Sequence, residues 1–256
     1  MVRLQWLLLP SLVFLAGCPV PPMPDTQERE RNEVDPASHA SYWLFVPANY
    51  RHDQAMPLVV TCHGTVPYDV ANAHIREMKY FAEQNGWIVV APDMVGTDGI
   101  IGDGPVRDML EDERRILSII SSLGYRYNID RNNIIITGFS GGGFPAYWVG
   151  LRNPDVFSLV VARNCNFSAS NMEGWFLPEA KSNRVFIYYG ENDPGAIAMQ
   201  SRTGIEFLQS RGFSVSTVTI PGAGHERHPE VAVKFMRENL RPPKPSLPAS
   251  PALSPR

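Results

Sequence analysis

Cysteine is scarce in this 256-residue chain, with three in all. That count is too low for a disulfide framework to stand in for a core. A surplus of one charge is absent too. Lys and Arg number 23 against 26 Asp and Glu, a formal net charge of -3, and the basic residues are scattered. This balance excludes the basic stripe that nucleic acids require, so no nucleic-acid partner is expected. No internal repeat is visible, which excludes solenoids and propellers. Long apolar runs are lacking as well. The N-terminal one, from Leu4 to Leu15, falls short of the ~20 residues that a bilayer-spanning helix needs. What is present is 44% hydrophobic residues, enough for one sizeable core.

The first residues carry their own pattern. Arg3 precedes the apolar stretch, as in a secretory signal peptide, although an uncleaved anchor helix would start the same way. Leu15-Ala16-Gly17-Cys18 resembles the lipobox of bacterial lipoproteins. That resemblance implies cleavage after residue 17, a lipid on the Cys18 thiol, and an exported protein anchored to the cell envelope rather than spanning it. Residues 18–37 are rich in proline and charge and read as a flexible tether. Residues 241–256 are proline-rich with few apolar anchors and read as a disordered tail. The folded domain is expected over 38–240. Within it lie Cys62 and Cys165, for which spacing allows either a disulfide or two buried thiols; free thiols are the expected state.

Between these ends, strand and helix patterns alternate. Apolar runs at 41–46, 57–62, 87–92, 132–139, 157–163, 184–190 and 213–220 read as strands. Several lack polar alternation, as strands covered on both faces do. Helical spacing appears over 70–86 (Ile75, Met78, Phe81) and over 106–124 (Met109, Ile116, Ile119, Ile120). It recurs over 198–212 and 229–239. Gly86 and Gly124 suit helix stops. The expected class is α/β, a mostly parallel sheet flanked by helices. Such sheets place their sites at the carboxyl ends of the strands.

One of those ends carries "TGFSGGGFPAY", residues 137–147. A dinucleotide fingerprint counted from Gly138 would need glycine where Ser140 stands, and a phosphate loop would need Lys where Phe144 stands. Gly138-Phe139-Ser140-Gly141-Gly142 instead fits G-x-S-x-G, a nucleophile held on a tight strand-to-helix turn. A serine needs a base and a group to orient that base. Asp193 follows the run 184–190, and His225 follows the run 213–220 within Pro221-Gly222-Ala223-Gly224-His225. Glu191 and His228 are nearby rivals, and His225, Glu226 and His228 could also suggest a metal site, though without further ligands. Asp193 before Pro-Gly would equally suit a turn. For the oxyanion, the amide of Gly141 and one after His63-Gly64, that of Thr65, are the expected donors.

Taken together, "PLVVTCHGT", "WIVVAPD", "IDRNNIIITGFSGGG", "YYGENDPG" and "PGAGHE" resemble the α/β-hydrolase family over about 41–238. Within it they look like the secreted esterases that include polyhydroxybutyrate depolymerases and feruloyl esterases. The triple glycine departs from that branch's usual elbow. The resemblance implies acyl transfer to Ser140, base work by His225 and no cofactor. The short segment 164–183 leaves no room for a large lid domain. Trp175 and Phe176 in it are candidates to line a substrate pocket, or equally to pack in the core. Two rival readings share the triad order or the scaffold: a serine peptidase of the prolyl-oligopeptidase type, and a non-catalytic surface binding module.

Overall fold

The computed structural model describes residues 29–97, 106–174 and 181–244. The chain runs β1 (Glu30–Val34), β2 (Ser41–Phe45), β3 (Met56–Cys62), α1 (Ala71–Asn85), β4 (Ile88–Pro92) and α2 (Val106–Arg126). It continues through β5 (Ile129–Ser140), α3 (Gly143–Arg152), β6 (Leu159–Cys165), α4 (Ala169–Met172), β7 (Arg184–Gly190), α5 (Gly195–Ser210), β8 (Ser214–Ile220) and α6 (Pro229–Glu238). The strands form one eight-stranded sheet in the order β1-β2-β4-β3-β5-β6-β7-β8. The pairs β1–β2 and β2–β4 are antiparallel and every later pair is parallel. The α/β class and its flanking helices are as the alternation predicts. Among the described residues no helix is long and apolar enough to cross a membrane.

Why the strands are apolar on both faces is plain from the packing. Leu58 and Val60 of β3, Ile88 and Val90 of β4, and Ile134 and Ile136 of β5 enter a core beneath α2, α3 and α5. Their neighbours Val59, Val89 and Ile135 enter a second core beneath α1 and α6. Each such side chain contributes about 1.5–3 kcal/mol on burial. After β3 the chain passes through α1 to β4 on one side; after β4 it passes through α2 to β5 on the other. The carboxyl ends of β3 and β5 therefore border a crevice, where ligands bind in sheets of this kind.

Three of the boundaries that move from the sequence expectation have a cause in named contacts. Residues 30–34, expected within the tether of 18–37, form edge strand β1. Their charges are absorbed locally: Glu33 accepts from Arg126 Nη2 at 2.9 Å and from Tyr42 at 2.5 Å, and Lys79 pairs with Glu30 at 2.7 Å. Edge strands tolerate such a polar composition, which is why it reads as linker. Helix α2 runs past Gly124 to Arg126, whose guanidinium is held by that same Glu33. At the other end, residues 241–244, expected in the tail, bind the start of β5. Lys244 N donates to Asp130 at 2.7 Å and its carbonyl accepts from Arg131 N at 2.8 Å. The expected signal peptide 1–17 with Cys18, and the tail beyond 244, lie outside the described residues.

Candidate active site

The strand β5 ends on Ser140, whose φ is 52, a left-handed backbone that a non-glycine residue adopts only where its surroundings impose it. The turn is closed by Gly142 N donating to the Phe139 carbonyl at 2.9 Å and by Asn166 N donating to the Ser140 carbonyl at 2.9 Å. The glycine cluster has a steric cause. A Cβ on Gly142 would collide with the Cys62 carbonyl oxygen and lie 2.6 Å from that of His63; one on Gly138 would collide with the Gly142 carbonyl. The elbow thus passes flush against the end of β3. Helix α3 then starts at Gly143, with its N-terminal dipole beside the serine. Pro145 falls in its first turn, where no backbone N–H is needed.

Asp193 lies just past β7 and is buried, while Ala223 and Gly224 fold against the end of β7 and bring His225 back to it. His225 Nδ1 is 2.7 Å from Asp193 Oδ1. A carboxylate only accepts, so Nδ1 carries the proton and Nε2 presents a lone pair. The imidazole sits with its centroid 4.8 Å from the ring of Phe139, the residue before Ser140. The loop is clamped from below by Asn164 at the end of β6. Its Nδ2 donates to the Gly224 carbonyl at 3.2 Å and to that of Glu226 at 2.8 Å, one on each side of His225. Asn164 is wholly buried and left-handed, with φ 48. The Ser140 hydroxyl makes no hydrogen bond with any described residue. Acid and base are therefore joined, and the base rests against the nucleophile's neighbour without closing on the hydroxyl.

The rivals are placed elsewhere. Glu191 is exposed and accepts from Gly222 N at 2.8 Å. His228 caps α6 between Glu226 and Glu230, at 3.3 and 3.2 Å. Among the described residues no three His, Cys, Asp or Glu side chains gather as a metal ion would need.

On the opposite bank, the loop after β3 carries the expected oxyanion donors. A Cβ built on Gly141 would lie 2.7 Å from Thr65 Oγ1 and 3.2 Å from Thr65 N, so the Gly141 and Thr65 peptides are neighbours. Thr65 is tied down by its hydroxyl, which donates to the Thr97 carbonyl at 2.8 Å. His63 braces the adjoining loop: Nδ1 donates to the Gly64 carbonyl at 2.7 Å and Nε2 accepts from Met94 N at 2.9 Å. Asp69 Oδ2 accepts from Gly64 N at 2.7 Å and from His74 Nε2 at 2.8 Å. Burial alone would raise the Asp69 pKa; the bonds from His74 and Gly64 N and the Arg227 charge hold it well below the usual carboxylate range. Burial and the Arg163 charge depress His74 to about 4 despite Asp69, so it is neutral near pH 7.

Cys62 and Cys165 are free and buried, on the strands either side of β5. Burial pushes the Cys165 thiol up to about 12, so neither its charge nor its exposure suits chemistry. Trp175 and Phe176 lie outside the described residues. Sequence reasoning passed over Asn164 and Arg227; the only signal was polar residues directly following an apolar strand and flanking His225.

No family model matches the chain. Over 117 residues it is 28% identical to acyl-protein thioesterase 1 of Gibberella zeae, covering 43% of this chain and 49% of that protein. It thus spans about half the length of the curated relative it matches. Among solved structures, a thermostable esterase superposes with a TM-score of 0.62 at 23% identity, over 83% of this chain and 63% of that one. Dipeptidyl peptidase 4 of Porphyromonas gingivalis superposes with a TM-score of 0.59 at 14% identity, over 82% and 35%. The eight-stranded sheet with its flanking helices is the α/β-hydrolase fold.

Proposed function

We propose that this chain is a serine hydrolase that cleaves carboxylic esters through an acyl-enzyme on Ser140. The observation that carries it is the buried Asp193 carboxylate bonded at 2.7 Å to His225, with the imidazole laid against the residue that precedes a left-handed Ser140. Asp193 holds the Nδ1–H tautomer, so Nε2 takes the serine proton when the bound substrate draws hydroxyl and ring together; such contacts often tighten only in the complex. Oγ attacks the ester carbonyl. The Gly141 and Thr65 amides receive the oxyanion. His225 then gives its proton to the leaving alkoxide, and water releases the acid by the same steps reversed.

Of the rival classes, the likeness to acyl-protein thioesterase 1 supports an ester or thioester over a peptide, while the structural neighbours include esterases and dipeptidyl peptidases alike. The finer reading, an esterase akin to polyhydroxybutyrate depolymerases and feruloyl esterases, rests on the motif resemblance. Lipid anchoring at Cys18 in the bacterial cell envelope rests on the lipobox resemblance of residues 15–18. Intact-mass analysis of the membrane fraction tests the anchor, and an unmodified Cys18 there overturns it.

The test of activity is a fluorophosphonate probe followed by a panel of p-nitrophenyl, feruloyl, polyhydroxybutyrate and thioester substrates. Labelling at Ser140, lost in Ser140→Ala, and turnover of an ester or thioester are expected. Cleavage of peptide substrates alone would replace this reading with a peptidase. A folded chain that takes no label would leave a binding module.

A further inference from the structure

Arg227 stands two residues past His225 and bridges two carboxylates, the buried Asp69 and the partly buried Glu77. Its Nη2 donates to Asp69 Oδ1, and its Nη1 donates to Glu77 Oε2 at 3.0 Å. Glu77 is also held by Arg163 through Nη1, and Arg163 reaches His74 Nδ1 at 3.2 Å. His74 returns to Asp69. The ring of partners closes, with two carboxylates against two guanidinium groups and a neutral imidazole between.

The cluster touches the oxyanion, nucleophile and base arms of the site. Asp69 fixes the Gly64 amide, next to the Thr65 amide of the oxyanion arm. The Arg227 guanidinium lies 5.1 Å from the centroid of Phe139, beside Ser140, and Phe139 also carries the His225 ring. Arg227 belongs to the base arm itself. One carboxylate therefore spans from the first arm to the third, across 158 residues of chain. A guanidinium fork fits two such carboxylates; an ammonium group, a single point charge, does not.

Resting on the esterase reading above, we propose that Arg227 is a positioning residue: through Asp69 and Glu77 it locks the His225 loop to the oxyanion loop. It touches no reacting atom. Its loss should therefore lower kcat by letting base and oxyanion donors drift apart, and leave substrate affinity nearly intact.

The experiment compares Arg227→Gln, Arg227→Lys, Asp69→Asn and the double variant Arg227→Gln/Asp69→Asn in the full chain, on one p-nitrophenyl ester. Folding is checked by circular dichroism. Arg227→Gln should lose about 10- to 100-fold in kcat with KM within about 3-fold, and Arg227→Lys should lose less. The double variant should lose far less than the product of the single losses, because both break one link. If Arg227→Gln does not fold, Arg227→Lys decides: folded, it should lose kcat with KM nearly unchanged, because an ammonium does not bridge both carboxylates. Folded variants with wild-type kcat, or losses that multiply, overturn the proposal. A wild-type chain that turns over no ester instead overturns the esterase reading on which it stands.

Discussion

The glycine at 142 offers a sharp test of how the elbow is held, because its neighbours are backbone. In Gly142→Ala the new methyl would sit 2.6 Å from the His63 carbonyl oxygen and closer still to that of Cys62. Neither oxygen belongs to a side chain that can rotate away. Restoring ordinary van der Waals separation takes a displacement of about 1 Å between the elbow and the end of β3. Ser140 stands two residues before position 142 and Thr65 two residues after His63, so the displacement opens the gap between nucleophile and oxyanion donor. A misplacement of ~1 Å costs about 100-fold in rate, and overpacking costs about 1–3 kcal/mol. At roughly 2–4 °C per kcal/mol, the melting temperature should fall by about 2–12 °C. Gly124→Ala is the control. It lies in helix α2 with nothing within 4 Å of the added methyl, and should leave turnover unchanged while stabilising by up to about 1 kcal/mol. Steady-state kinetics and thermal melts of both variants check the pair. A Gly142→Ala protein with wild-type kcat and melting temperature would refute the close-approach account.

Two more perturbations probe the electrostatics. Asp193→Asn replaces an acceptor by an amide that can offer His225 either a donor or an acceptor, so the ring loses its enforced tautomer; kcat should fall by about 10³–10⁴-fold with little change in folding, and a drop under tenfold would remove Asp193 from its role. Asp112 accepts from Val95 N and Gly96 N, both at 2.8 Å, yet burial outweighs these bonds and raises its carboxyl from 3.8 to about 6. Because the folded value lies above the unfolded one, the fold holds the proton more tightly, and stability is lost as pH rises from about 4 through 6. Asp112→Asn does not ionise, so its stability relative to wild type should improve by about 2–3 kcal/mol between pH 4 and pH 8, read from urea unfolding at the two values. A flat or reversed difference would show that Asp112 does not titrate in this range.

The parts legible from the sequence are those written in one local stretch. The runs at 57–62 and 184–190 are apolar on both faces because both faces are covered, and their short length sets them apart from a buried helix. Ser140 was legible because its glycines answer to contacts at a strand end, a demand that few other turns make. The stretch 30–34 was not, since an edge strand paired on one side keeps its charges in reach of partners such as Arg126, distant in sequence. The same holds at the end of α2, where Gly124 is a good local stop but the chain continues to bring Arg126 to Glu33.

The site divides along the same line. Asp193 and His225 could be picked out because each follows a strand whose carboxyl end lies at the same edge of the sheet as that of β5, so position along the chain implied position in space. Arg227 had no such cue. On its own it is a surface-type residue between an acid and a histidine, and its meaning depends on Asp69 and Glu77, which reach it only once α1 and the His225 loop meet at the same end of the sheet. Asp69 is buried and Glu77 partly so, and a carboxylate out of water is tolerated where its charge is matched and its oxygens are filled. Asp69 meets that condition with four donors: Gly64 N, Val70 N, His74 Nε2 and Arg227 Nη2. A buried carboxylate that gathers donors from its own 64–74 stretch and from the distant Arg227 is a junction rather than a filler, and this places the rigidity of the site beneath the reacting groups as much as in them.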